Sequence, residues 1–371
     1  MNSPLRLRTH TLLVGAAVTM APVLQACSGG GTTTATDSDT GKSDGNSADA
    51  ISTDAGKDVA NVKRVQKWGV YSLPSGAKAR AIAALPGQPG SYLLVGDAGK
   101  AWRLDDTLLV DEPIEGIDAN LAAAWVSSDG AWFVAGANST IARHDDKGWV
   151  VDQSVAPQTL SFRALGGSSA KDVWAVGKDK AAWRFDGSVW TAQDVSPTAG
   201  PSLEGAEFTS VAVAGGEVWL GATLGNGTGA LVHGKEQAWQ AIATEQGVAA
   251  LWVSNDGKTV VVAGGQSTNK PFLALVEGNA IKPQEAKLAG GYFTSLAGTT
   301  STAIWAAGTG GSLRAFDGKA WAYENIQHPA GTPIDKQFKA TETLLGLAVK
   351  TGDERAVLAV DKVYRWGQQP Q

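Results

Sequence analysis

Sulfur is nearly missing from this chain, whose 371 residues hold one cysteine and two methionines. A lone cysteine excludes an intramolecular disulfide and any metal site built from several thiolates. Histidine is scarce as well; beyond the amino-terminal leader only His144, His233 and His328 remain. His144 and His233 fall in repeats that a ring would separate by a whole unit, so no histidine metal site is expected. Basic residues are not in excess: 31 Lys and Arg face 36 Asp and Glu, for a net charge of −5. Without a basic stripe the chain does not read as a nucleic-acid binder. G-x-S-x-G elbows, Walker loops, HExxH and dinucleotide-binding fingerprints are all absent, and no cofactor is implied.

Glycine and tryptophan are plentiful, at 46 and 14 residues. Together they suit a turn-rich all-β protein that stacks large rings between sheets. The stretch Leu160 to Val195 shows the unit, with four short apolar runs (FRAL, DVWAVG, AAWRF and VWTAQDV) separated by turn residues. Such runs read as four antiparallel strands. The unit recurs. Aligned on the residue ending its second strand, the copies place Gly96, Gly136, Gly177, Gly221, Gly264, Gly308 and Asp361 in register. Spacings of 40, 41, 44, 43, 44 and 53 residues are those of propeller blades. First strands are rich in small residues, as the crowded axis of a propeller requires. Fourth strands are led by Trp149, Trp190, Trp239 and Trp321.

The two ends set the blade number. The seventh copy stops near Gly367 without a fourth strand, whereas Val65–Leu73 precedes the first copy as an orphan strand carrying Trp68. Joining the two removes a free sheet edge. The expectation is an all-β, seven-bladed β-propeller over residues 61–371, with about four antiparallel strands per blade. An N-terminal strand closes it by completing the last blade.

Residues 1–26 have the three parts of a secretory signal: Arg6 and Arg8, the apolar run Thr11–Leu24, and a small residue before the cut. Leu24-Gln25-Ala26-Cys27 resembles the lipobox of bacterial lipoproteins. That resemblance implies lipid attachment at Cys27, acylation of the new amino terminus and, with Ser28 following, an outer-membrane address. Residues 27–60 then form a tether too poor in apolar side chains to fold. Its six aspartates against Lys42 and Lys57 leave it at −4.

The recurring DVWAVG…FDGxxW pattern resembles the tandem repeats of bacterial secreted propellers. It is more distantly similar to sialidase Asp-box and photosystem-assembly-factor propellers. The Asp-box spacing is only partly met, since Asp186–Trp190 and Asp317–Trp321 are each one residue short. The resemblance covers residues 65–367 and speaks to fold. The five tyrosines offer none that can be assigned as a sialidase-type nucleophile. Arg103/Asp105, Arg143/Asp145 and Arg184/Asp186 recur at one place in successive blades, as local salt links would.

Loop length is the remaining signal. Connections 196–207, 222–229, 265–271 and 327–340 are long, and all belong to the face where second strands turn into third strands and blades join. Long loops on a rigid frame often carry function. They nominate Asn226, Thr228, Asn269, Lys270, His328, Asp335, Lys336 and Lys339 as a binding face. The reading is a monomeric, lipid-anchored, non-enzymatic scaffold for an envelope protein or polysaccharide. The alternative is a glycan-active hydrolase or lyase, which a buried cluster of carboxylates and arginines at the channel mouth would indicate.

Overall fold

A computed structural model describes residues 64–87, 89–236, 238–266, 270–285, 291–327, 337–339 and 341–370. The leader, Cys27 and the tether lie outside them. Seven four-stranded antiparallel sheets are formed, six of them with their strands in consecutive order and one completed by the N-terminal strand. Blades 1 to 6 span 79–111, 121–151, 162–192, 207–244, 248–283 and 293–323. The first strands of successive blades touch one another in a closed cycle, including that of blade 1 against that of blade 7. They make the inner wall of the ring, and the fourth strands its rim.

Blade 7 combines Gly346–Thr351, Glu354–Leu358 and Lys362–Pro370 with the N-terminal strand Arg64–Ser72. The expected closure is present. It is also longer than the sequence suggested, because the third strand continues through Gly367 and pairs from Ser72↔Lys362 to Arg64↔Pro370.

Apolar side chains gather between blades. Each of seven buried clusters draws on two neighbours: Trp174 and Val176 of blade 3 pack with Phe208, Leu220 and Trp239 of blade 4, and so on around the ring. A blade alone leaves both faces exposed, so the ring must close for any core to exist.

The repeated glycine has a steric cause. A Cβ at Gly96, Gly136 or Gly177 would stand 2.0 Å from the carbonyl oxygen of Lys78, Asn120 or Ser161, where the chain enters its own blade's first strand. Two slots differ from the sequence alignment. In blade 4 Ala222, one residue beyond Gly221, pairs with Phe208 as Gly177 pairs with Phe162. In blade 7 Ala359, not Asp361, makes the slot's turn bond, donating its N–H to Lys362 O as Gly96 does to Lys100 O.

Candidate functional site

The face nominated by loop length is partly rebuilt as regular structure. In blade 4 the second strand runs to Thr223 and the third begins at Gly229. Asn226 and Thr228 therefore sit in a short hairpin turn. The Thr228 N–H and hydroxyl both donate to Asn226 Oδ1, at 3.0 and 2.6 Å. Lys270 opens the third strand of blade 5 opposite Gln266. Asn269, His328, Asp335 and Lys336 lie outside the described residues. The connection 196–207 runs along the outermost strand of blade 4: Thr198 N–H donates to Trp239 O and Ala241 N–H to Ala199 O, both at 3.2 Å. It sheathes a sheet edge.

Lys339 is exposed and borders a cavity of about 550 Å³ with Lys78, Glu342, Asp361 and Lys362. The buried Lys362 ammonium lies 3.1 Å from Glu342 Oε1. Tyr364 donates its phenol proton to Glu342 Oε2 at 2.7 Å. Burial, with the Glu342 charge beside it, pushes the Tyr364 phenol well above its ordinary range. Glu342 is thus satisfied from both sides, and the cluster ties the connection entering blade 7 to that blade's third strand.

At the axis, six first strands carry a bulge at one position, with Arg80, Ala122, Arg163, Thr209, Ala249 and Thr294 as the extra residues. A bulge re-aims its side chain. Arg80 pairs with Asp97 and Arg163 with Glu207. The Thr209 and Thr294 hydroxyls reach the Val248 and Leu344 carbonyls, linking blade 4 to blade 5 and blade 6 to the entry of blade 7. The arginines of this ring each hold one carboxylate and do not converge on a shared site.

A concavity of about 740 Å³ lies on the opposite face, between blades 3 and 4. Turns joining first to second and third to fourth strands line it at Ser128, Gly215, Gly216, Glu236 and Asn255, and the strand ends beside such turns do so at Gly167, Ser168, Gly234 and Lys235. The fourth strand of blade 3 is three residues, Trp190–Ala192, while that of blade 4 is seven, Ala238–Thr244, and most of the extra length pairs toward Gly229, away from the groove. Arg184 and Gln193 of blade 3 border the groove with Trp239 of blade 4.

Polar groups in the groove are held by neighbours. Asp172 accepts from Arg184 Nε at 2.8 Å and from Ser168 Oγ at 2.6 Å. This corrects the sequence pairing: Arg184 bonds Asp172 on the adjacent strand, not Asp186. Asp186 instead caps its own turn, accepting from Ser188 N, Ser188 Oγ and Val189 N at 2.8, 2.7 and 2.9 Å. The Ser188 hydroxyl, with the Val189 and Ser188 amides, brings the Asp186 carboxyl down to about 2. Arg103 and Arg143 do approach Asp105 and Asp145, at 3.6 and 3.9 Å.

On the blade 4 side, His233 stacks on Trp219 with centroids 4.5 Å apart, and its Nδ1 lies 3.0 Å from Glu217 Oε2. Trp174 and Trp239 meet edge-on at 5.9 Å. Their indole N–H groups have no protein acceptor. Among the described residues no group of three or more His, Cys, Asp or Glu is placed to hold a metal ion.

Sequence reasoning missed this groove because it is made by short turns and absent side chains. The pair Gly215-Gly216 was its one visible trace.

No protein-family model and no curated protein matches the chain. Solved structures do. YCF48 from Cyanidioschyzon merolae is similar at 17% identity and TM-score 0.62, covering 81% of this chain and 99% of that one. YCF48 bound to D1 peptide follows at 15% and 0.59, covering 82% and 98%. Virginiamycin B lyase from Staphylococcus aureus is similar at 14% and 0.63, covering 81% and 99%. At these identities the likeness is one of fold.

Proposed function

We propose that this protein is a binding scaffold of the cell envelope, anchored by lipid at Cys27 in the outer membrane, which holds a protein or polysaccharide partner without chemically changing it. The fold does not choose between binding and catalysis. One neighbour is bound to D1 peptide, and another is named a lyase.

The observation that favours binding is the open groove between blades 3 and 4. There Asp172 is already engaged by Arg184 and Ser168, and Glu217 by His233. A glycan hydrolase needs a carboxyl whose pKa is raised so that it can give up a proton near neutrality. The described carboxylates with displaced pKa values, Asp129, Asp186, Asp256 and Asp317, are all pushed down by turn hydrogen bonds, towards fixed charge.

The test is an affinity capture from solubilised envelope using the full-length chain. The comparison proteins carry Gln193→Ala on the groove or Lys339→Ala on the opposite face. A discrete partner lost with Gln193→Ala and kept with Lys339→Ala supports the groove as the working surface. A partner held equally by all three moves the function elsewhere. The anchor is tested by incorporation of an alkyne-tagged fatty acid, which Cys27→Ala must abolish.

A further inference from the structure

We infer that the groove between blades 3 and 4 is a carbohydrate site for a neutral glycan chain; this rests on the scaffold reading above and names its ligand. Three features of the groove select this chemistry.

The first is its mixture of surfaces. Trp125 supplies a partly exposed indole that packs on Phe133, and its exposed part suits the apolar face of a sugar ring. Around it stand the Asp172–Arg184 pair, the Ser168 hydroxyl, and the amides of Gln193 and Asn255. A sugar hydroxyl donates once and accepts twice, and it is served by such a set of acceptors, donors and groups that do both. Because Asp172 and Arg184 already hold each other at 2.8 Å, they present fixed directions and need no rearrangement on binding.

The second feature is what a peptide would lack. Extended peptides are held by adding a strand to an open sheet edge. Here the lining is mainly strand ends and turns, and the edge of the outer strand of blade 4 is covered by residues 198–199 through their bonds to Trp239 and Ala241.

The third is charge. Asp172, Glu217 and Glu236 stand against Arg184 and Lys235 in the lining. One carboxylate in excess disfavours uronates, sulfated chains and phosphorylated ones, leaving neutral sugars.

Calorimetric titration of the full-length chain tests this, with cellohexaose, chitohexaose and mannohexaose as neutral probes and hexagalacturonate as the charged comparison. At least one neutral hexasaccharide should bind saturably and more tightly than hexagalacturonate. Trp125→Ala should weaken it by about two- to tenfold, the range of a lost aromatic contact. Gln193→Ala, at a half-buried border position, should weaken it without lowering the melting temperature, and Lys339→Ala should leave it unchanged. Absence of neutral binding, or binding indifferent to both groove variants, overturns the assignment. If no glycan binds while an envelope protein is still captured through Gln193, the glycan falls and the scaffold stands. If neither binds through the groove, both fall.

Discussion

Replacing Trp68 by alanine tests the ring closure at its most loaded point. Trp68 lies on the N-terminal strand, is 3% exposed, and faces Trp366 across the pairing with centroids 5.6 Å apart. The Arg355 guanidinium stands 5.5 Å from its ring, and 5.1 and 5.4 Å from those of Trp305 and Trp366. Arg355 is itself buried and bonded to Glu324, which also accepts from Trp305 Nε1 at 2.8 Å. Three indoles and one carboxylate therefore enclose a single cation between blades 6 and 7. Removing one indole leaves the ion pair intact, so no orphaned charge is created. The loss is burial and packing, about 3–5 kcal/mol for a core Trp→Ala change. With unfolding entropy near ~2.1 cal/mol/K per residue over roughly 300 residues, a loss of about 4 kcal/mol lowers the melting temperature by about 6 °C. Leu108→Ala is the control; Leu108 is 63% exposed, and its change should cost within about 0.5 kcal/mol. The two variants are to be compared by thermal melting and by hydrogen exchange across 64–72. A Trp68→Ala protein melting with the control, and retaining protection in that strand, would refute the closure as the source of stability.

Other outcomes follow from the same geometry. Gly177→Ala sets a methyl against the Ser161 carbonyl at 2.0 Å and should cost about 1–3 kcal/mol in a urea titration, as overpacking does. Asp186 is depressed to about 2 when folded, below its unfolded value near ~3.9. Its contribution is therefore complete above about pH 4 and lost as pH falls towards about 2, and Asp186→Asn should flatten that part of the melting-temperature profile. Tyr71, Tyr92 and Tyr364 are raised, chiefly by burial. Their neutral forms support the fold below the unfolded phenol value near ~10, and that support declines above it. Ultraviolet titration should find these three phenols silent until alkaline unfolding.

The fold was legible because each blade must present small residues at the axis, two buried strands and a turn, and that demand repeats every forty-odd residues. Even the missing fourth strand of blade 7 could be located, since Trp68 has no partner without it. Side-chain pairing was less legible. Arg184 and Asp186 are two apart in sequence, but alternate residues of a strand need not share a partner, and Asp186 belongs to a turn whose amides claim it. The bulge that turns Arg80 and Arg163 into the channel wall leaves no composition signal, since Ala122 and Ala249 occupy the same position. Two of the four long connections are shorter than their sequence suggests, for a physical reason. Insertions in blades 4 and 5 lengthened the paired strands, so Thr223 and Gly229, Gln266 and Lys270 are ladder partners.

The groove shows how a repeat protein can acquire a site without acquiring a motif. Its lining comes from turns and strand ends of a kind that every blade possesses, with Gly167, Gly215, Gly216 and Gly234 placing no side chain in it. The connection joining blades 3 and 4 is drawn along the outer edge of blade 4. Gly200 makes this course possible: its φ of +104° is left-handed, and a Cβ there would meet Ala241 O at 1.9 Å. Gly200→Val should therefore displace residues 196–205 from the blade 4 edge and expose the amides they cover. Hydrogen exchange should show protection lost at Ala241, whose N–H bonds Ala199 O, while blades 1 and 6, far around the ring, stay protected. If Ala241 remains protected, the connection is not what covers that edge, and the exclusion of a strand-adding peptide there fails with it.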